Sequence, residues 1–115
     1  ARAPGRPLER ILVREAGKVH VLPVERVDFI EARDDYLSFA SAGRRFQKQQ
    51  TLGELETQLD PERFVRIHRS YLLNIDRLAR GDVDERENRI AVLSDGTRLP
   101  VSRSGFTRLN ALLGR

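Results

Sequence analysis

Phe64-Val-Arg-Ile-His-Arg-Ser-Tyr-Leu-Leu-Asn74 is the stretch that decides how this chain reads. Its first half alternates apolar and polar side chains: Phe64, Val65, Arg66, Ile67, His68, Arg69. Its second half returns to apolar Tyr71, Leu72 and Leu73. Alternation of this kind predicts two short strands joined by a polar corner, His68-Arg69-Ser70. The corner gathers an imidazole, a guanidinium and a hydroxyl within three residues. All three can donate hydrogen bonds to an anionic or acceptor-rich surface. The same spacing also suits a solvated turn between two core strands, so on its own it leaves the corner's purpose open.

Upstream, Arg10 to Glu15 and Lys18 to Val24 carry Ile11-Leu12-Val13 and Val19, Val21, Leu22 around Glu15-Ala16-Gly17, a hairpin pattern with Pro23 closing it. Arg26 to Ala32 reads as the next strand, interrupted by Arg33-Asp34-Asp35. Tyr36 to Ala40 resumes, with Leu37 and Phe39 on one face. Ser41-Ala42-Gly43 then turns into Arg44 to Gln50 around Phe46. Thr51 followed by Glu54 matches a capping box, and Leu52, Leu55 and Leu59 share the apolar face of a short helix stopped by Asp60-Pro61.

Downstream, Arg77 to Asp84 is weakly strand-like and leads into a charged loop. Ile90 to Leu93 and Arg98 to Val101 flank Ser94-Asp95-Gly96-Thr97, a tight hairpin signal. Ser104 is placed to cap a final helix with Phe106, Leu109, Leu112 and Leu113 on its apolar positions. The expectation is eight to ten short strands and two short helices, a mostly-β domain.

The chain has 115 residues, enough for one domain with its own core. It has no cysteine, which excludes disulfides, thiolate metal sites and a cysteine nucleophile, and suits a reducing cytoplasm. No apolar run approaches the roughly 20 residues of a membrane helix, and no membrane association is expected. Residues 1–10 read as a linker remnant, leaving residues 11–115 as the domain. The net charge is +4 and comes from arginine, since only Lys18 and Lys48 are lysines. Arginine suits forked hydrogen bonding to phosphate and guanine, and the basic balance favours a polyanionic partner. High genomic GC content produces the same bias without any such partner.

Catalysis finds no support. His20 and His68 are far apart, and no nucleophile elbow, P-loop or His-Glu-x-x-His is present. Asp34-Asp35 and Asp82 with Asp84 are turn formers rather than a metal set. We therefore expect no enzyme, no metal and no cofactor. Nucleic-acid binding fits better, because basic and polar groups fall at strand ends: Arg33, His68-Arg69-Ser70, Arg86 and Arg89, and Ser102-Arg103-Ser104. The internal helix carries Glu54 and Glu56 and no arginine, so loops are the better readers. Stacking on RNA calls for exposed aromatics, and only Tyr36 and Tyr71 qualify. An RNA-binding β-barrel and a protein-interaction module are the alternative readings.

Phe64 to Asn74, Asp95-Gly96, Leu99-Pro-Val-Ser-Arg103, Val27-Asp-Phe-Ile-Glu-Ala32 with Tyr36, and Leu52-Gly-Glu-Leu55 together resemble the LytTR-type DNA-binding domain of bacterial response regulators. The resemblance runs from about Leu12 to Leu113. It implies an elongated fold of short antiparallel sheets with one short internal helix and a short C-terminal helix, whose loops enter the major groove. It implies sequence-specific binding of double-stranded DNA as the output domain of a two-component transcriptional regulator in the bacterial cytoplasm, nucleoid-associated when bound. An N-terminal receiver domain would be missing from this chain, and a second copy would join it on repeated half-sites. The implied base contacts are Arg69, Arg103 and the loop at Asp35 or Tyr36. The backbone contacts then expected are Arg33, Arg66, His68, Ser70, Arg89 and Ser102. The family often has a glycine in the third loop, where this chain has Arg33-Asp34-Asp35. Two carboxylates there oppose phosphate, so Arg33 is expected to dominate unless a carboxylate accepts from a cytosine amino group.

Overall fold

The computed structural model describes residues 5–114. Among these residues, ten strands fall into three antiparallel sheets. The strands β1 (Arg10–Glu15) and β2 (Lys18–Pro23) form a hairpin. The central sheet holds β3 (Phe29–Arg33), β4 (Tyr36–Ser41), β5 (Arg44–Lys48), β6 (Phe64–His68) and β7 (Tyr71–Asn74) in the order β5-β4-β3-β7-β6. A third sheet holds β8 (Leu78–Val83), β9 (Arg89–Leu93) and β10 (Arg98–Val101) in the order β10-β9-β8. Two helices, α1 (Leu52–Glu56) and α2 (Arg103–Leu113), complete it. The shape is elongated, 45 × 31 × 24 Å. The mostly-β, elongated architecture is the one expected from the sequence.

Both faces of the central sheet are covered. One face, with Ile30, Leu37, Phe39 and Leu72, packs on Ile11, Val13 and Leu22 of the hairpin and on Leu52, Leu55 and Leu59. The other, with Phe29, Ala40, Val65, Ile67 and Leu73, packs on Ala91, Leu93 and Leu99 of the third sheet and on Leu109 of α2. Burial on both faces is why β4 is buried continuously from Leu37 to Ser41 rather than at alternate residues. Asn74 is fully buried where the chain leaves the sheet. Its Nδ2 donates to the carbonyls of Val27 (2.9 Å) and Glu25 (3.2 Å), and its Oδ1 accepts from the Asp76 N–H. The segments that enter β3 and leave β7 are thereby tied by a satisfied polar group rather than an orphan.

The structure corrects several expectations. The strand expected from Arg26 begins at Phe29, because Val24–Arg26 forms a 3-10 turn. Arg33 remains in the ladder opposite Tyr36, so only Asp34-Asp35 turns. The final helix is capped by Ser102, not Ser104: Ser102 Oγ accepts from the Gly105 N–H at 3.0 Å. Leu113 is 53% exposed rather than inward. Leu8 is not free linker, since its N–H donates to the Gln58 carbonyl at 2.7 Å and its side chain packs on the core. The rest of the expected linker, residues 1–4, and the expected domain end at Arg115 lie outside the described residues. The capping box holds as read: Thr51 Oγ1 accepts from the Glu54 N–H, and the Glu54 carboxylate accepts from Thr51 N–H.

Candidate nucleic-acid interface

Three segments far apart in sequence meet at one end of the central sheet. The Asp34-Asp35 turn and the Arg69-Ser70 turn lie side by side because β3 pairs with β7, and the Ala32 N–H donates to the Ser70 carbonyl at 2.8 Å. The third segment is the junction of β10 and α2. It is drawn in by an irregularity in β6. Arg66 pairs with Leu72 and His68 with Tyr71, so Ile67 is a bulge residue with no register partner. Its carbonyl accepts instead from the Ser102 N–H (2.8 Å) and the Ser102 hydroxyl (3.3 Å).

Gly105 makes this approach possible. A Cβ at that position would overlap the Ile67 backbone carbonyl. The absence of a side chain therefore sets how closely α2 seats on β6, and with it the position of Arg103 in the first turn.

The Arg69-Ser70 turn is held from three sides. The Ser70 N–H donates to His68 Nδ1 at 3.0 Å, and the His68 ring rests edge-on against Tyr71. With Nδ1 accepting, a neutral imidazole carries its proton on Nε2. Arg66 Nη2 donates to the Arg69 carbonyl at 2.7 Å, while Arg66 Nη1 pairs with Glu56 of α1 at 2.9 Å. Arg108 Nη1 donates to the Arg66 carbonyl at 3.2 Å. Around this turn lies a cleft of about 360 Å³ lined by Glu56, Arg66, His68, Arg69, Ser102, Ser104 and Arg108. A second cleft, of about 490 Å³, shares His68 and Ser102 with it and reaches Arg89.

The exposed guanidiniums differ in their commitments. Arg69 and Arg103 are exposed, and among the described residues neither guanidinium has a hydrogen-bond or ion-pair partner. Arg89 is exposed but lies 3.5 Å above the Phe106 ring, a stacked cation that leaves its edge open. Arg33 is exposed and pairs with Glu31 at 3.4 Å; the Tyr36 hydroxyl and the Glu31 carboxylate both favour its charged form.

Glu31 also accepts from Tyr71 Oη (3.1 Å) and Arg45 Nη1 (3.2 Å), with its side chain 17% exposed. Burial by itself would raise this carboxyl. The bonds from Arg45 and Tyr71 and the Arg33 charge outweigh it and hold Glu31 below the usual carboxylate range. Asp34 sits at φ 45° in the left-handed region, with Asp35 exposed beside it and Tyr36 half-buried.

The expected contact residues therefore lie at or beside this end, with Arg89 reached through the second cleft, while Arg86 stays in the loop between β8 and β9, its N–H donating to Asp84 at 2.9 Å. Sequence reasoning missed Glu31, Glu56, Gly105 and Arg108. Only Gly105 left a signal, as a poor helix former in the first turn of a helix.

The profile of the LytTr DNA-binding domain matches residues 17–114. Transcriptional regulatory protein LytR of Staphylococcus aureus is 24% identical over 97 residues, 84% of this chain and 39% of that protein. The heme-containing CO-sensing transcriptional regulator RcoM 1 of Paraburkholderia xenovorans is 27% identical over 110 residues, 95% of this chain and 41% of that protein. A response regulatory protein of Vibrio cholerae is 31% identical over 91 residues, 76% of this chain and 34% of that protein. The chain thus spans about two fifths or less of these relatives. A LytTr DNA-binding domain from Bacillus cereus has the same fold, with a TM-score of 0.83 at 23% identity, covering 94% of this chain and 99% of that one.

Proposed function

Because the chain belongs to the LytTr DNA-binding domain family, we propose that it reads duplex DNA with the three segments gathered at one end of its central sheet. The observation that carries this is the convergence itself. Backbone hydrogen bonds from Ala32 to Ser70 and from Ser102 to Ile67 bring together Arg33, Arg69 and Arg103, which sequence separates by up to 70 positions.

In this reading Arg69 and Arg103, whose guanidiniums are uncommitted, fork to guanine in the major groove. Tyr36 and Asp35 border the third contact, where Asp35 is tolerated next to a cytosine amino group. Arg33, His68, Ser70 and Arg89 donate to phosphates and fix the register, whereas Ser102, expected among these contacts, has its N–H and hydroxyl engaged by the Ile67 carbonyl. Arg66 lines the same cleft but has both terminal nitrogens engaged internally. Two copies on repeated half-sites would present this end to the same face of the duplex. The larger protein would be a two-component transcriptional regulator of the bacterial cytoplasm, located at the nucleoid when bound. Its receiver domain would lie on the N-terminal side of this domain. No residue is given a catalytic role.

Selection of bound sites from a random duplex library tests the reading. Two related half-sites about one helical turn apart are expected. The logarithm of affinity should fall linearly with the logarithm of salt concentration. No enrichment, a flat salt response, or preference for single-stranded RNA in competition would overturn it.

A further inference from the structure

The cleft beside the Arg69 turn contains one group that does not suit a DNA-facing surface. Glu56, at the end of α1, projects a carboxylate among Arg66, Arg69 and Arg108. A carboxylate there repels phosphates and lowers general affinity for DNA. Its partner explains its presence. Arg66 is only 24% exposed, its Nε is buried, and its two outer nitrogens have different partners. Nη1 meets the Glu56 carboxylate, and Nη2 meets the carbonyl of Arg69, on the turn itself. Helix α1 is separately fixed by buried Leu52 and Leu55, so it is a firm base for the pair. Exposed ion pairs add little to stability, but a forked guanidinium held at one prong orients whatever its other prong grips.

We propose that Glu56 and Arg66 are positioning residues for base reading: the carboxylate anchors the guanidinium, and the guanidinium fixes the Arg69 carbonyl and so the direction of the Arg69 side chain. This rests on the proposed base contact by Arg69. It moves Arg66 from the expected phosphate contacts to the support beneath the turn. The cleft's acidic residue then serves discrimination between sequences while lowering affinity for all of them.

Glu56→Gln and Arg66→Lys separate this from the electrostatic alternative. Each variant is titrated with the duplex selected by the unmodified protein and with random duplex, at several salt concentrations. The clamp predicts a loss of about tenfold on the selected duplex, on the scale of one charge-assisted hydrogen bond. It predicts random-duplex affinity that is unchanged or slightly raised, and an unchanged salt slope. The double variant should be no worse than the worse single one, since the two act as a unit. Amide exchange at Ser70 should speed up while Leu72 and Leu73 stay protected, which global destabilisation would not produce.

If Glu56→Gln leaves discrimination intact, or tightens both duplexes in parallel, the clamp is wrong. It is also wrong if Arg66→Met flattens the salt slope by about 0.9 on both duplexes, the signature of a lost phosphate contact. Arg69→Ala provides the separate check. If it too leaves discrimination intact, the proposed base contact fails and takes the clamp with it. If it abolishes discrimination while Glu56→Gln does not, the clamp alone fails.

Discussion

Arg69-Ser70 and Asp34-Asp35 are both two-residue turns at the same end of the central sheet, and they are held in different ways. The first is basic at its tip and braced beyond its ladder, by the Arg66 and His68 side chains of β6, by the Ala32 N–H of β3 and by the seating of α2 on Ile67. The second is acidic at its tip, and its main support comes from the β3–β4 ladder and from Arg33 beside it. It also keeps a non-glycine residue, Asp34, at positive φ, which aspartate tolerates better than most. A braced turn can hold one side chain in one direction, as discrimination between bases requires. A turn held mainly by its own strands, with two carboxylates, is better suited to limiting approach than to gripping. Under the proposed function, the difference predicts that the larger share of recognition falls to the Arg69 side.

The strongest way to break the comparison is to unseat α2 from Ile67. Gly105→Ala places a methyl against the Ile67 carbonyl, and overpacking of this kind costs about 1–3 kcal/mol. The expected result is a lower Tm and loss of discrimination between selected and random duplex. A variant that melts normally and still discriminates would mean that α2 does not set the geometry.

Next in size is the direct contrast between the two tips. Arg69→Ala should cost about 1–3 kcal/mol on the selected duplex and much less on random duplex. Asp35→Ala should cost under about 0.5 kcal/mol or improve binding, since it removes a charge that repels phosphate. Equal losses from both, read by fluorescence anisotropy, would erase the asymmetry.

The smallest effect is at Glu31, which touches both sides by accepting from Tyr71 next to one turn and Arg33 next to the other. Its folded carboxyl lies below the ordinary value of 4.5. Its stabilising contribution is therefore complete above that value and is lost as pH falls through the lower folded value. Glu31→Gln should be less stable than the unmodified protein at pH 7, by under about 1 kcal/mol. The gap should close on acidification below pH 4.5. Asp28 is raised, by burial first and against the Arg77 charge, and works in the opposite sense. Urea midpoints compared between the two proteins at each pH cancel its contribution. A gap that does not change with pH would remove the carboxylate from the account.

What could be read from the sequence was local. The capping box at Thr51, the Asp95-Gly96 turn and the alternation on both sides of the Arg69 corner all declare themselves within a few residues, because one or two nearby side chains decide them. The choice between Ser102 and Ser104 as cap did not. Both are serines before the same helix, and the outcome depends on Ile67, 35 positions away, whose carbonyl takes the Ser102 N–H and hydroxyl. The three candidate segments were legible, since arginines at strand ends stand out. Their meeting point was not, for it depends on β3 pairing with β7 and on a bulge that no composition announces. Glu56 gave no sign at all. On a sequence it is a helix carboxylate like Glu54, and only the fold brings it to Arg66.

The bulge at Ile67 carries a consequence for how sequences of this kind can change. Side chains on the three candidate segments are mostly surface groups and can be exchanged for one another at small cost to either core. The residue count between Arg66 and Tyr71 cannot. Deleting one residue there would restore a regular ladder, hand the carbonyl at 67 back to β7, and take from Ser102 the acceptor that seats the start of α2. Drift should therefore be free in letters and closed to insertions and deletions at this one place, so that recognition diversifies by substitution on a backbone of fixed length.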